Sequence, residues 1–194
     1  MIYNIAIDGP AGAGKSTIAR RVAKELSFIY VDTGAMYRAM ALYMIEHKID
    51  VSHLDEVGSA CDAITIDIQY SAGEQQVILN GKNVNDFIRT ETVSEMSSKI
   101  SAIPEVREKL LSLQRSLAAA ENVIMDGRDI GTHVLPNADV KIFLTADAHV
   151  RAVRRYEEFI AKGVSCTLEN VEREVIERDE RDMNRAIAPL KQAE

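Results

Sequence analysis

Several things are scarce in this sequence, and each absence narrows its reading. It holds only two cysteines in 194 residues, Cys61 and Cys166, far apart and in no CxxC spacing. Such a pair builds neither a disulfide framework nor a thiolate metal site, and it suits a reducing compartment. The four histidines do not cluster with the cysteines, so a mixed metal centre is not expected either. Positive charge is in deficit: 23 Lys and Arg stand against 30 Asp and Glu, a net charge of −7. A broad nucleic-acid or anionic-membrane surface needs the opposite balance, so neither partner is expected. One small anionic ligand is still possible, because local charge decides that. No apolar run is long enough for a membrane span or the core of a signal peptide, and no basic segment precedes the first apolar residues. The chain is therefore expected in the cytoplasm, as a monomer. It shows no internal repeat, no low-complexity linker and no guanine-reading NKxD segment.

What is present is an ordinary globular balance, 46% apolar and 27% charged, in a length suited to one α/β domain with an elaborated insert. The β-branched run at residues 2–7 is followed by glycines and then by a helical pattern. There Ile18, Val22 and Leu26 recur at i, i+4 and i+8, which predicts one buried stripe. Residues 28–31 read as a second buried strand and 35–45 as a helix. Strand–helix–strand alternation predicts a parallel sheet with right-handed crossovers. Residues 64–70 alternate apolar and polar, residues 77–79 follow, and then comes Asn80-Gly81, a strong hairpin signal. Residues 63–86 therefore read as a small antiparallel insert. Helices are expected at 92–102, 105–120, 148–162 and 168–184, with Gly163 as a C-cap, and buried strands at 123–125 and 140–144.

Residues 9–16, GPAGAGKS, match GxxxxGK[ST] in full, with a buried strand before and a helix after. The residue types fit the chemistry. Gly9, Pro10, Ala11, Gly12, Ala13 and Gly14 form a small-residue turn whose N–H groups can face phosphate oxygens. The helix start adds partial positive charge at the same spot. Lys15 would meet the β/γ-phosphates, Ser16 would sit on Mg²⁺, and Thr17 would add a hydroxyl at the α-phosphate. A nucleoside triphosphate is the expected ligand, with Mg²⁺ alongside ATP.

A second anion at such a site needs its own cations, because two phosphate-bearing ligands repel each other. Arg38 follows the second strand in DTGAMYR, and Arg128 and Asp129 follow a buried strand in DGRDIG. Both positions lie at strand carboxyl ends, where ligands bind in open α/β sheets. Arg178, Arg181 and Arg185 share one face of a predicted helix and read as a clamp on phosphates. Arg107 and Arg154 are further candidates, Arg154 for ATP. Each could instead be a solvated surface charge.

Taken together, GPAGAGKS, VDTGAMYRA, the NGK and IRT segments, MDGRDIGTHVLPNA and ERDERDMNRAIAPLKQAE resemble the bacterial cytidylate kinase family over essentially the whole chain. The resemblance implies a P-loop three-layer α/β fold, with helices on both faces of a five-stranded parallel sheet. Residues 1–33 and 121–150 would form its core and 34–120 the acceptor-binding region carrying the β insert. Residues 152–165 would form a lid and 166–194 the C-terminal helical part. Relatives continue through a further strand and helix, so the sheet is expected to be one strand short. The resemblance also implies phosphoryl transfer from ATP to CMP or dCMP. Lys15, Arg128, Arg178 and Arg185 would act on the phosphates in flight. Thr33, Arg38, Ser98, Arg107, Arg128, Asp129, Arg178, Asp182 and Arg185 would hold the acceptor. His133 and Asn137 depart from the family pattern at positions not expected to touch ligand. Two rivals remain: a kinase for another small acceptor, and a regulatory module that holds ATP without turning it over.

Overall fold

A parallel sheet lies at the centre of the computed structural model, which describes residues 2–71 and 73–194; Met1 and, in the expected insert, Ala72 lie outside the described residues. In chain order the elements are β1 (Asn4–Asp8), α1 (Lys15–Leu26), β2 (Ile29–Asp32), α2 (Thr33–Glu46), α3 (Leu54–Ala63), β3 (Ile66–Ser71), β4 (Glu74–Leu79) and β5 (Lys82–Asn83). Then follow α4 (Glu91–Ile100), α5 (Pro104–Ala120), β6 (Val123–Gly127), one π-helical turn (Ile130–Val134), β7 (Val140–Phe143), α6 (Ala148–Ala161) and α7 (Leu168–Asn184). The main sheet has the order β2-β6-β1-β7, four strands among the described residues where the resemblance implies five. Ala6, Ile7, Val123, Ile124 and Met125 are essentially excluded from solvent, because helices cover both faces of a parallel sheet. The registers align Asp8 with Gly127 and Asp32 with Asp126, so three strands carry an acidic residue at or next to their carboxyl ends, along one edge. That edge carries the site.

α1 differs from the expected stripe. Ile18 and Leu26 are 44% and 48% exposed, while Lys15, Ala19 and Ala23 face inward. The roll of this helix is set by the turn before it, which aims Lys15 at the strand ends. The alanines at i+4 and i+8 from Lys15 then let the helix lie close on β1 and β6. α3 was not expected from the pattern; it buries Val57, Ala60 and Cys61. Burial raises the Cys61 thiol pKa, so it behaves as a small apolar residue.

The insert forms as the alternation predicts. β3 and β4 pair antiparallel, and Asn80 and Gly81 turn into β5 with φ of 46° and 82°. Positive φ at both positions is what an Asn-Gly hairpin turn requires. Ile66, Val77 and Leu79 seat the insert on the main core.

Gly9 has φ 145°, and a Cβ placed there would stand 1.9 Å from the Leu144 carbonyl oxygen at the end of β7. The chain passes the sheet too closely for any side chain. Gly9→Ala is expected to destabilise the fold by about 3 kcal/mol, a typical sum of overpacking and backbone strain. Denaturant unfolding checks this; a loss below about 1 kcal/mol would mean that the turn relaxes freely.

Candidate active site

The turn at residues 9–16 leaves β1 and delivers Lys15 to the first position of α1, with Gly12 and Gly14 at φ 73° and 93°. Lys15 Nζ donates to the carbonyl oxygens of Gly9 and Pro10, each at 2.8 Å. Burial, reinforced by repulsion from Arg128, lowers its pKa to about 7. The lysine is thus held at the phosphate turn with its charge only partly compensated. Beside it, Ser16 Oγ donates to Asp126 Oδ2 at 2.8 Å, and the Tyr30 hydroxyl donates to Asp126 Oδ1 at 3.1 Å. Burial and the neighbouring Asp32 raise the Asp126 pKa. Sequence reasoning named Ser16 for the metal and missed Asp126, although an acid closing the buried strand VIMD was a usable signal.

The turn after β6 is fixed from the other side. Asp8 accepts from the N–H groups of Ile130 and Gly131, both at 2.7 Å. Thr33 Oγ1 donates to the Asp126 carbonyl at 2.7 Å, joining the start of α2 to the same strand end.

A cavity of about 200 Å³ lies between these pieces. Gly12, Lys15 and Ser16 line one wall; Thr33, Ser98, Asp129 and Asp182 line the other, and Arg128, Arg178 and Arg185 reach in from β6 and α7. Arg128 Nε pairs with Asp182 at 2.9 Å, and Arg185 Nη2 pairs with Asp129 at 2.9 Å. Arg178 makes no ion pair among the described residues, and its Nε is buried without a partner. Burial and repulsion from Arg128 lower its pKa to about 10. Half-buried Arg178 thus brings to the cavity wall a guanidinium whose buried Nε–H has no acceptor. The Ser98 hydroxyl is likewise buried with no partner.

Other expected residues are placed differently. Arg107 lies behind the cavity, 5% exposed, with Nη2 on Asp129 and Nη1 on the Ser101 carbonyl at 3.0 Å. It holds Asp129 rather than facing the opening. Arg38 sits just outside, its Nη2 on Asp32 at 3.1 Å and its Nε buried without a partner. Thr17, Arg154 and Arg181 are exposed and line no part of the cavity. On α6 and α7 the helix roll turns Arg151 and Arg178 inward, and Arg154 and Arg181 outward. Arg151, which sequence reasoning did not select, donates from Nη1 to the Ala11 carbonyl at 3.1 Å and pairs with the buried Asp179. It ties α6 and α7 to the phosphate turn.

The family model for cytidylate kinase matches residues 5–194. The chain belongs to the cytidylate kinase family. A cytidylate kinase of Carboxydothermus hydrogenoformans is 53% identical over 192 residues, covering 98% of this chain and 86% of that relative. Those of Halalkalibacterium halodurans and Bacillus cytotoxicus are 49% and 48% identical over 191 residues, covering 98% of this chain and 86% and 85% of their own lengths. In this member of the family the phosphate turn and its lysine line one side of the cavity and three arginines reach in from the other. No helix among the described residues is long and apolar enough to cross a membrane.

The Lys15 pKa gives a measurable consequence. An unfolded lysine titrates near 10.4, whereas the folded one titrates at about 7. As pH falls between those values the unfolded chain takes up the proton and the folded chain does not, so nucleotide-free stability declines; below about pH 7 the loss is complete. A bound polyphosphate supplies the missing negative charge. ATP binding at pH 8 is therefore expected to take up close to one proton more in the wild type than in Lys15→Met. Calorimetry in buffers of different ionisation enthalpy measures this. Equal uptake by both proteins would show that Lys15 is charged before ATP arrives.

Proposed function

We propose that this protein transfers the γ-phosphoryl group of ATP to CMP, and to dCMP, giving the nucleoside diphosphates. The observation that carries this is the convergence of Lys15, Arg128, Arg178 and Arg185 on one cavity between the phosphate turn and the strand ends. In this reading residues 9–17 hold ATP and Arg38 meets the acceptor 5′-phosphate. Ser98 and Asp129, the latter held by Arg107, read the cytosine ring. Asp182 steers Arg128, and residues 34–120 form the acceptor region. Residues 152–165 act as a lid tied to the turn through Arg151, and residues 166–194 complete the clamp. The protein works in the cytoplasm as a monomer, without nucleic acid.

The acceptor phosphate is largely doubly ionised at neutral pH, so its oxygen attacks without a general base. The protein's task is alignment of two anions and neutralisation of charge on the transferring group. Lys15 approaches from the donor side and the arginines from the acceptor side. Lid closure excludes water, which could otherwise take the phosphoryl group.

The residues present also fit Mg²⁺. Ser16 Oγ and the Asp126 carboxylate are adjacent hard oxygen donors beside the phosphate turn. The described residues hold no cluster of three or more potential ligands, as suits an ion that keeps waters and takes substrate phosphate oxygens. When bound, Mg²⁺ would neutralise charge on the β- and γ-phosphates.

Coupled ADP release with CMP, dCMP, UMP and AMP tests the reading. Rapid turnover with both cytidine nucleotides and slower turnover with the others is expected. ADP release independent of acceptor, or preferring AMP, would overturn it.

A further inference from the structure

β2 is an edge strand: it pairs with β6 on one side and with no strand on the other among the described residues. A free edge presents N–H and C=O groups that need partners. Side chains of the insert supply them here. Gln75 Oε1 accepts from the Asp32 N–H at 2.8 Å, and Gln75 Nε2 donates to the Asp32 carbonyl at 3.2 Å. The Tyr70 hydroxyl donates to the Tyr30 carbonyl at 3.3 Å. Tyr70 and Gln75 stand opposite each other across the β3–β4 ladder, and Tyr30 and Asp32 alternate onto the same strand edge. A primary amide carries the donor and acceptor of a peptide group, so Gln75 makes the rung a neighbouring strand would make.

The residue it holds is a junction. Asp32 closes β2 and caps α2 by accepting from the Ala35 N–H at 2.9 Å. Its other oxygen takes Arg38 at 3.1 Å and Arg89, just after the insert, at 3.4 Å. Moving the Asp32 backbone therefore moves the carboxylate on which Arg38 rests.

We propose that Gln75 is a positioning residue through which the β insert sets acceptor affinity, by fixing Asp32 and hence the station of Arg38. The inference rests on the proposed role of Arg38 at the acceptor phosphate. It assigns the insert a part in the reaction although neither Tyr70 nor Gln75 lines the cavity.

Gln75→Leu removes both hydrogen bonds at similar volume, at a half-buried position that tolerates the change. The KM for CMP is expected to rise about tenfold, as for two lost hydrogen bonds acting partly through Arg38. The kcat should stay within about twofold and the KM for ATP should not move, because the donor turn is untouched. In an Arg38→Ala background the same change should add no further rise in KM, since the group it positions is gone. Amide exchange at Asp32 should quicken about tenfold, a readout that needs no turnover. An unchanged KM for CMP, or the full tenfold rise persisting without Arg38, would overturn the inference while leaving the kinase reading standing. Wild-type ADP release that ignores CMP would remove both.

Discussion

Replacing Lys15 with alanine is expected to lower kcat by about 10²-fold or more without unfolding the protein. The lysine is the one full positive charge that the phosphate turn brings to the cavity wall. Loss of a preorganised charge at a developing transition-state charge costs about 3 kcal/mol, which corresponds to that factor. Its ammonium is buried and repelled by Arg128, so the substitution removes an unfavourable charge from the nucleotide-free state. Stability without ATP should therefore be kept or gained near neutral pH, which separates this loss from misfolding. Single-turnover kinetics and a thermal melt on the same preparation check both halves. A near-normal rate would take the turn out of the chemistry.

Changing Asp129 to asparagine should produce the second large effect, and it has two parts. Its Oδ2 holds Arg107 and its Oδ1 holds Arg185 at 2.9 Å. Both guanidiniums would then face a neutral amide, Arg107 while almost fully buried. Breaking a buried pair from one side costs about 3 to 5 kcal/mol, so a clear fall in Tm is expected along with weaker turnover of every acceptor. On top of that, kcat/KM for CMP should fall about tenfold further than for UMP. A carboxylate accepts from the cytosine amino group, whereas an amide can also donate to the uracil carbonyl. Equal losses for the two acceptors would defeat the base-reading role. An unchanged Tm would defeat the structural one. The sequence suggested only the base-reading part; the folded chain shows that Asp129 also anchors one of the cavity-facing arginines.

Much of the fold was legible because its signals are local. Short β-branched runs marked β1, β2 and β6, Asn80-Gly81 marked the insert hairpin, and residues 168–184 formed a helix with the expected bounds. α3 escaped because its buried face is short and made of small residues, Ala60 and Cys61 beside Val57, with a glycine at Gly58. Arg107 and Arg151 show the limit at the site. Arg107 was expected at the acceptor and Arg151 was passed over as one more helix charge, yet each is buried against a carboxylate from a distant element, Asp129 and Asp179. Only long-range pairing distinguishes such residues from solvated ones.

By itself the sequence determined the phosphate turn, since its glycines, lysine and flanking strand and helix act within a few residues of one another. It also carried the family, through segments spread along the chain. Tertiary structure decided which arginines meet. Arg178 faces the cavity and Arg181, one turn on, does not, because α7 buries Val171, Val175, Asp179 and Asp182 and so fixes its roll. Tertiary structure also decided that Asp8, Asp32 and Asp126 share one edge, because strand register is set by partners far away in the chain. Charge alone could name the candidates. Packing chose among them.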